Sequence, residues 1–212
     1  MHLFRQLTRT YSASLRSRAR TWRSMILAGW LAILSPLQGI AATATIPEAQ
    51  ATAAYLALFT KYIEWPETER AVTTPDTPPP FTIGVLGHDP FDGALEQAFA
   101  NVLVQGRPVV IKRVGSAAEA RNCDLVFISR EESRRQSLWL SELAGAPILT
   151  VTETETSLKP QAGVTLIREK TSVGSRLRFD VNLPTLQLAR LKVSSSMLVS
   201  ARRIVRATPE RG

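Results

Sequence analysis

The feature that most constrains the fold is a regular alternation of strand-like and helix-like segments in the middle of the chain. Four short apolar runs bounded by turn residues are predicted as buried strands, at 81–86, 108–114, 125–128 and 147–151. Helix-like segments lie between them. This alternation predicts an α/β fold, a three-layer sandwich with a mostly parallel sheet and helices on both faces.

Capping residues predict where the connecting helices begin. Asp89, which precedes a proline, is predicted to cap a helix that runs to about residue 101. Ser116 and Glu119 have the spacing of a capping box, which predicts a short helix there. Ser129 is predicted to cap a longer helix that ends at residue 143.

The pattern changes near the C-terminus, where two strand-like runs follow each other at 163–168 and 176–181. They predict an antiparallel hairpin at the edge of the sheet. The second run alternates polar and apolar residues, which places Arg176, Arg178 and Asp180 on one side and predicts a solvated face. Two short helices are predicted to follow, at about 183–190 and 195–204.

A helix is predicted over residues 47–64, because it opens with Pro-Glu and closes at Trp-Pro. Two of its faces are apolar, and the more aromatic one is a candidate partner-binding surface that comprises Tyr55, Leu58, Tyr62 and Trp65. The alternative is that both faces are buried within the domain.

The N-terminus has the three-part layout of a secretory signal peptide. A basic stretch runs to Arg23, an uncharged apolar run follows at 25–34, and small residues come next. The apolar run is shorter than the approximately 20 residues of a membrane span, so cleavage is preferred to an uncleaved anchor. We therefore predict a signal peptide at 1–42, cleaved after Ala42 or Ala44, a domain at 43–206 and a frayed tail at 207–212. Residues 71–80 are predicted as a proline-rich loop.

The net charge of +8 belongs mainly to this leader. Residues 1–42 contain six of the 26 basic residues and none of the 18 acidic ones, so the remaining chain has a net charge of only +2. Nucleic-acid binding by the exported domain is therefore not predicted, and neither is stable membrane insertion after cleavage.

Catalytic machinery is not evident in the sequence. His88 is the single histidine outside the leader, and neither a nucleophile elbow nor a phosphate-binding glycine loop occurs. Cys123 is the single cysteine, so it is predicted to be a buried thiol at the start of a strand, with intermolecular pairing as the alternative. We predict a protein that is not an enzyme and that holds neither a cofactor nor a metal.

Two further groups of residues are candidate binding sites. Arg176, Arg178 and Asn182 form a candidate site for an anionic or nucleotide ligand, the alternative being a strand edge protected by charge. The turn that contains His88 and Asp89 could present helix-start donors to an anion, but turn geometry alone accounts for its residues.

Several segments in this order and spacing resemble the YfiR family. They are KYIEWP at 61–66, IGVLGHDPF at 83–91, GRPVV at 106–110, NCDLVFIS at 122–129, PILTV at 147–151, RFDVNL at 178–183 and LKVSS at 191–195.

The resemblance implies a periplasmic, non-catalytic, dimeric regulator. Such a protein represses an inner-membrane diguanylate cyclase by binding its periplasmic sensing domain, and thereby controls cyclic di-GMP and biofilm formation. The partner could instead be another envelope sensor. Cys123 matches a family cysteine, yet no second cysteine is present, so a disulfide within the chain cannot provide redox control. The alternative function is a periplasmic module that binds a small ligand and reports to a transporter or histidine kinase.

Overall fold

A computed structural model gives the fold over residues 47–66, 79–154, 161–172 and 174–207. These residues belong to one compact unit, Thr45–Gly212. The predicted signal peptide and its cleavage sites lie outside the described residues, as do most of the predicted loop at 71–80 and the tail after residue 207. None of the helices in the described ranges is both long enough and apolar enough to cross a membrane.

The described chain contains ten strands and six α-helices. In chain order they are α1 (Glu48–Tyr62), β1 (Ile63–Glu64), β2 (Phe81–Leu86), α2 (Ala94–Phe99), β3 (Leu103–Val104), β4 (Arg107–Val114), α3 (Ala117–Ala120), β5 (Leu125–Ile128), α4 (Ser133–Leu143), β6 (Leu149–Thr154), β7 (Val164–Thr171), β8 (Gly174–Asn182), α5 (Leu183–Leu188), β9 (Lys192–Val193), α6 (Ser195–Ser200) and β10 (Arg203–Val205).

Eight of the strands form one mostly parallel sheet, in the order β10-β8-β7-β6-β5-β2-β4-β3. The hairpin β7–β8 and the short pair β3–β4 are antiparallel, and the other pairs are parallel. β1 and β9 form a separate antiparallel pair that ties the end of α1 to the start of α6. The predicted mostly parallel sheet and the hairpin are confirmed.

Two apolar clusters lie on opposite faces of the sheet. One contains the buried side chains of α1 and α2 together with Phe81, Ile83 and Val85 of β2. The other packs α3 and α4 against Leu86 of β2 and the alternate residues of β5. Successive strand residues point to opposite faces, so one strand serves both layers. This is the predicted three-layer sandwich.

Two helix starts differ from the predicted ones. The Asp89 side chain accepts a hydrogen bond from the Phe91 amide, which makes a local turn, and α2 begins only after Gly93 in the left-handed region. Ser129 makes no capping hydrogen bond, and a 3₁₀ turn at Arg130–Glu132 precedes α4. By contrast, Ser116 caps α3 as predicted, because its side chain accepts from the Glu119 amide.

The C-terminal segment also differs from its prediction. The expected helix at 195–204 ends at Ser200, and β10 pairs in parallel with β8 outside the hairpin. The cause is Asp180, which is fully buried and not solvated as predicted. Its carboxylate accepts from Arg202 at 2.7 and 2.8 Å and from Arg203 at 3.0 Å, and these ion pairs hold β10 on the sheet.

Candidate functional site

The outer side of α1 carries three of the four residues predicted to bind a partner. Leu58 is 38% exposed, whereas Tyr55 and Tyr62 are half-buried against the core. The Tyr55 hydroxyl donates to the Leu177 carbonyl oxygen at 3.1 Å, so the ring is fixed against β8. Because these residues are three and four positions apart on one helix, they share one side of it.

Trp65, the fourth residue, does not belong to this surface. It is only 7% exposed, and its ring packs edge-on against Phe81 with the centroids 4.9 Å apart. Its indole N–H donates to the Asp124 carbonyl oxygen at 2.8 Å. A buried Trp needs such an acceptor for its single donor. The structure therefore places Trp65 in the core of this chain, where a partner would not reach it.

Asp124 connects three of the segments that carry the family resemblance. Its carboxylate accepts from the Arg107 guanidinium at 2.9 and 3.1 Å and from the Thr82 amide at 2.8 Å. Its carbonyl binds Trp65, as described above, and the Arg107 guanidinium lies 5.4 Å from the Phe81 ring centroid. These residues come from segments far apart in the sequence, and their role here is to fasten the starts of β2, β4 and β5.

Val199 is an exposed apolar residue that the sequence analysis does not predict as part of a binding surface. It is 87% exposed on α6, and α6 contacts α1. The adjacent helices α1 and α6 thus both display apolar side chains to solvent. A signal was present in the sequence, because the run Met-Leu-Val at 197–199 is too apolar for a fully solvated helix and only Met197 is buried.

The structure spreads the predicted ligand-binding residues along β8. Arg176 is exposed and lies opposite Glu169 of β7, and Arg178 is half-buried opposite Ile167. Asn182 is about 13 Å further along the strand than Arg178, judged from the rise per residue. Its side chain caps α5 by accepting from the Thr185 amide.

The turn after β2 uses its polar groups internally. The Arg113 guanidinium pairs with Asp89 at 2.7 Å and also contacts Glu96. The hydrogen bond from Arg113 lowers the pKa of Glu96, and the two carboxylates raise the pKa of Arg113. Within the described ranges no group of three or more His, Cys, Asp or Glu residues could hold a metal ion.

Cys123 is buried on the face of the sheet covered by α3 and α4. It lies so close to β2 that a Cβ atom on Gly84 would be 2.7 Å from its sulfur atom. This placement agrees with the prediction of a small apolar side chain at the start of a strand.

Residues 49–202 of the chain match a protein family described as YfiR/HmsC-like. No curated protein matches the chain.

Two solved structures are similar at low identity. The first is the ABC domain in complex with L-Trp from Streptococcus pneumonia, with 11% identity, a TM-score of 0.40 and coverage of 58% of this chain and 55% of that chain. The second is a conserved domain protein from Vibrio cholerae O1 biovar El Tor, with 10% identity, a TM-score of 0.45 and coverage of 74% and 60%. The chain thus spans less than two thirds of either protein.

Proposed function

Because this chain belongs to the YfiR/HmsC-like family, whose members are periplasmic regulators of cyclic di-GMP signalling, we propose that it represses an inner-membrane diguanylate cyclase by binding the cyclase's periplasmic sensing domain. We propose that it reaches the periplasm by means of the signal peptide at 1–42. In this proposal its output is the level of cyclic di-GMP and hence biofilm formation, and it carries out no chemistry itself.

The exposed apolar side of α1 is the observation that supports it as the binding surface for the cyclase. Leu58 contributes an exposed aliphatic side chain, and the Tyr62 ring lies on the same side one turn later. Aromatic rings fixed by the core lose little entropy on binding, and they are enriched at the centres of protein interfaces. Trp65 plays an indirect part, because it holds the end of α1 against the sheet.

The test is made in cells of the species that encodes the protein. Deletion of the gene is expected to raise intracellular cyclic di-GMP, measured by mass spectrometry, and the wild-type gene is expected to restore the low level. Leu58→Glu places a charge on the proposed surface and is expected to abolish this restoration, because an unpaired charge is costly to bury in an interface.

Leu138→Glu is the matched control. Leu138 is 59% exposed and lies on α4, on the opposite face of the sheet. The Leu138→Glu variant is expected to restore the low level of cyclic di-GMP as the wild type does. Equal abundance of both variants in the periplasm, checked by immunoblot, separates loss of binding from loss of folding. If deletion leaves cyclic di-GMP unchanged, the proposed function is wrong; if Leu58→Glu restores it fully, only the surface is wrong.

A further inference from the structure

A cavity of about 400 Å³ opens at the carboxyl edge of three neighbouring parallel strands. Its wall includes His88 after β2, Arg130 and Glu131 after β5, Glu153 at the end of β6, and Glu48 and Thr52 from the first turns of α1. The chain leaves β2 for β4 on one side and then crosses to β5 on the other side. The cavity therefore lies beside the topological switch point, where open α/β sheets place their ligands.

The charges of this wall favour a cation. Three carboxylates, those of Glu48, Glu131 and Glu153, line the cavity. Two arginines pair with them: Arg130 with Glu48 and Glu131, and Arg168 with Glu48 and Glu153. Among these five side chains one negative charge is in excess. A cation in the cavity would relieve this excess, whereas an anionic ligand would add to it.

The geometry of the ion pairs leaves acceptors for such a cation. In each of the four pairs the shortest contact of the arginine is with the Oε1 atom, at distances of 2.7–3.3 Å, so the Oε2 atoms are the more distant oxygens and have lone pairs for a further donor. Glu153 is 5% exposed, and a carboxylate buried to this extent strengthens a charge-assisted hydrogen bond.

Thr52 is a second, independent sign of a ligand. It is 2% exposed, it belongs to the cavity wall, and its buried hydroxyl has no hydrogen-bond partner in the structure. A buried hydroxyl without a partner costs roughly 1–3 kcal/mol, so native proteins rarely retain one without a use. Thr52 lies one turn after Glu48 on α1, which puts the hydroxyl and that carboxylate on the same side of the helix.

We propose that this cavity binds a small organic cation through a primary ammonium group. An ammonium group has three donors, which suit carboxylate oxygens and the Thr52 hydroxyl. Two prolines and an alanine complete the wall and would contact the carbon chain of the ligand. A bare metal ion fits less well, because the described residues contain no set of three ligands that could hold one. The proposal does not depend on the cyclase partner.

The test uses isothermal titration calorimetry on the purified protein with 1,4-diaminobutane as the probe. Two compounds of similar length serve as controls, butane-1,4-diol without charge and glutarate with two negative charges. Binding of the diamine alone is expected. Glu131→Gln and Thr52→Val are each expected to weaken it about tenfold, because each removes one polar contact to a charged group.

The matched control is Glu142→Gln, which removes an exposed carboxylate on α4 away from the cavity and is expected to leave the affinity unchanged. Circular dichroism and the melting temperature confirm that each variant is folded. The proposal is overturned if the diamine gives no binding, if butane-1,4-diol or glutarate binds as well as the diamine, or if Glu131→Gln and Thr52→Val bind it with wild-type affinity.

Discussion

The Asp124 carboxylate and the Arg107 guanidinium form a two-point ion pair, with oxygen–nitrogen distances of 2.9 and 3.1 Å. Both side chains are largely buried, and Arg107 also donates to the carbonyl oxygens of Pro79 and Pro80, both at 2.8 Å. The pair thereby joins the start of β4 to the start of β5 and to the segment that enters β2. A lysine could not make this contact, because its ammonium group lacks the planar fork of donors.

Arg107→Ala is expected to lower the free energy of unfolding by about 2–4 kcal/mol, because it leaves the Asp124 carboxylate buried without its partner. Arg107→Lys is expected to recover only part of this loss. Urea unfolding followed by circular dichroism measures both. Arg134→Ala on α4 is the control, because Arg134 is exposed, and it is expected to have little effect. Equal losses in Arg107→Ala and Arg134→Ala would contradict the importance of the pair.

A side chain at Gly87 is expected to destabilise the protein more than a side chain at Gly93. Both glycines have positive φ angles, 85° and 81°, but a Cβ atom on Gly87 would collide with the Glu132 carboxylate, whereas nothing lies within 4 Å of a Cβ atom on Gly93. Glu132 accepts from the His88 amide at 3.0 Å and is held by Arg135. Gly93→Ala is therefore expected to cost about 1 kcal/mol from backbone strain alone.

Gly87→Ala is expected to cost about 2–4 kcal/mol, because it adds displacement of the buried Glu132 carboxylate to the same strain. Chemical denaturation of both variants against the wild type gives the two losses. If the two variants unfold at the same urea concentration, Glu132 does not fill the space in front of Gly87.

The sequence predicts the parallel sheet well and the C-terminal segment poorly, for a physical reason. Buried parallel strands are continuous apolar runs, so β2 and β5 can be predicted directly from the sequence. The end of α6 depends instead on Asp180, which pairs with Arg202 from 22 positions away. Likewise the sequence predicts Trp65 as a surface residue at a helix end. In the structure it is buried, because its indole N–H donates to a carbonyl group 59 positions away. Long-range pairings of this kind leave no local pattern.

Glu96 is expected to contribute to the loss of stability as the pH is lowered into the acid range. The hydrogen bond from Arg113 lowers the pKa of Glu96 below its ordinary value of 4.5, with burial opposing it. A carboxyl group with a lowered pKa in the folded state stabilises the protein above the unfolded-state pKa, and this contribution disappears as the pH falls through the folded-state pKa. Both side chains are more than one third exposed, so screening limits the contribution to below about 1 kcal/mol.

Glu96→Gln tests this dependence. The difference in unfolding free energy between the wild type and Glu96→Gln is expected to be larger at pH 7 than at pH 3, because the stabilisation of the ionised carboxylate is lost progressively as the pH falls below the unfolded-state pKa and through the lowered folded-state pKa. Guanidinium chloride would screen the pair, so urea is the denaturant of choice. A difference that stays constant between the two pH values would show that Arg113 does not stabilise the ionised form of Glu96.

Gly84 and Cys123 are expected to be energetically coupled, because a Cβ atom at Gly84 would lie 2.7 Å from the Cys123 sulfur atom and 3.4 Å from its Cβ atom. Gly84 has no positive φ angle, so the cost of Gly84→Ala comes from this contact and not from the backbone. We expect Gly84→Ala to destabilise the protein by about 1–3 kcal/mol, the usual range for overpacking a core. Cys123→Ala is expected to destabilise it by about 1 kcal/mol, because it leaves a small cavity.

In the double variant the methyl group added at residue 84 can occupy the space that the sulfur atom leaves. The double variant is therefore expected to be more stable than the sum of the two single losses predicts, with a coupling energy of about 1 kcal/mol or more. Urea unfolding of the four proteins gives this energy directly. Strict additivity would mean that β2 shifts away from Cys123 instead of pressing on it, and the close packing of these two segments would then be contradicted.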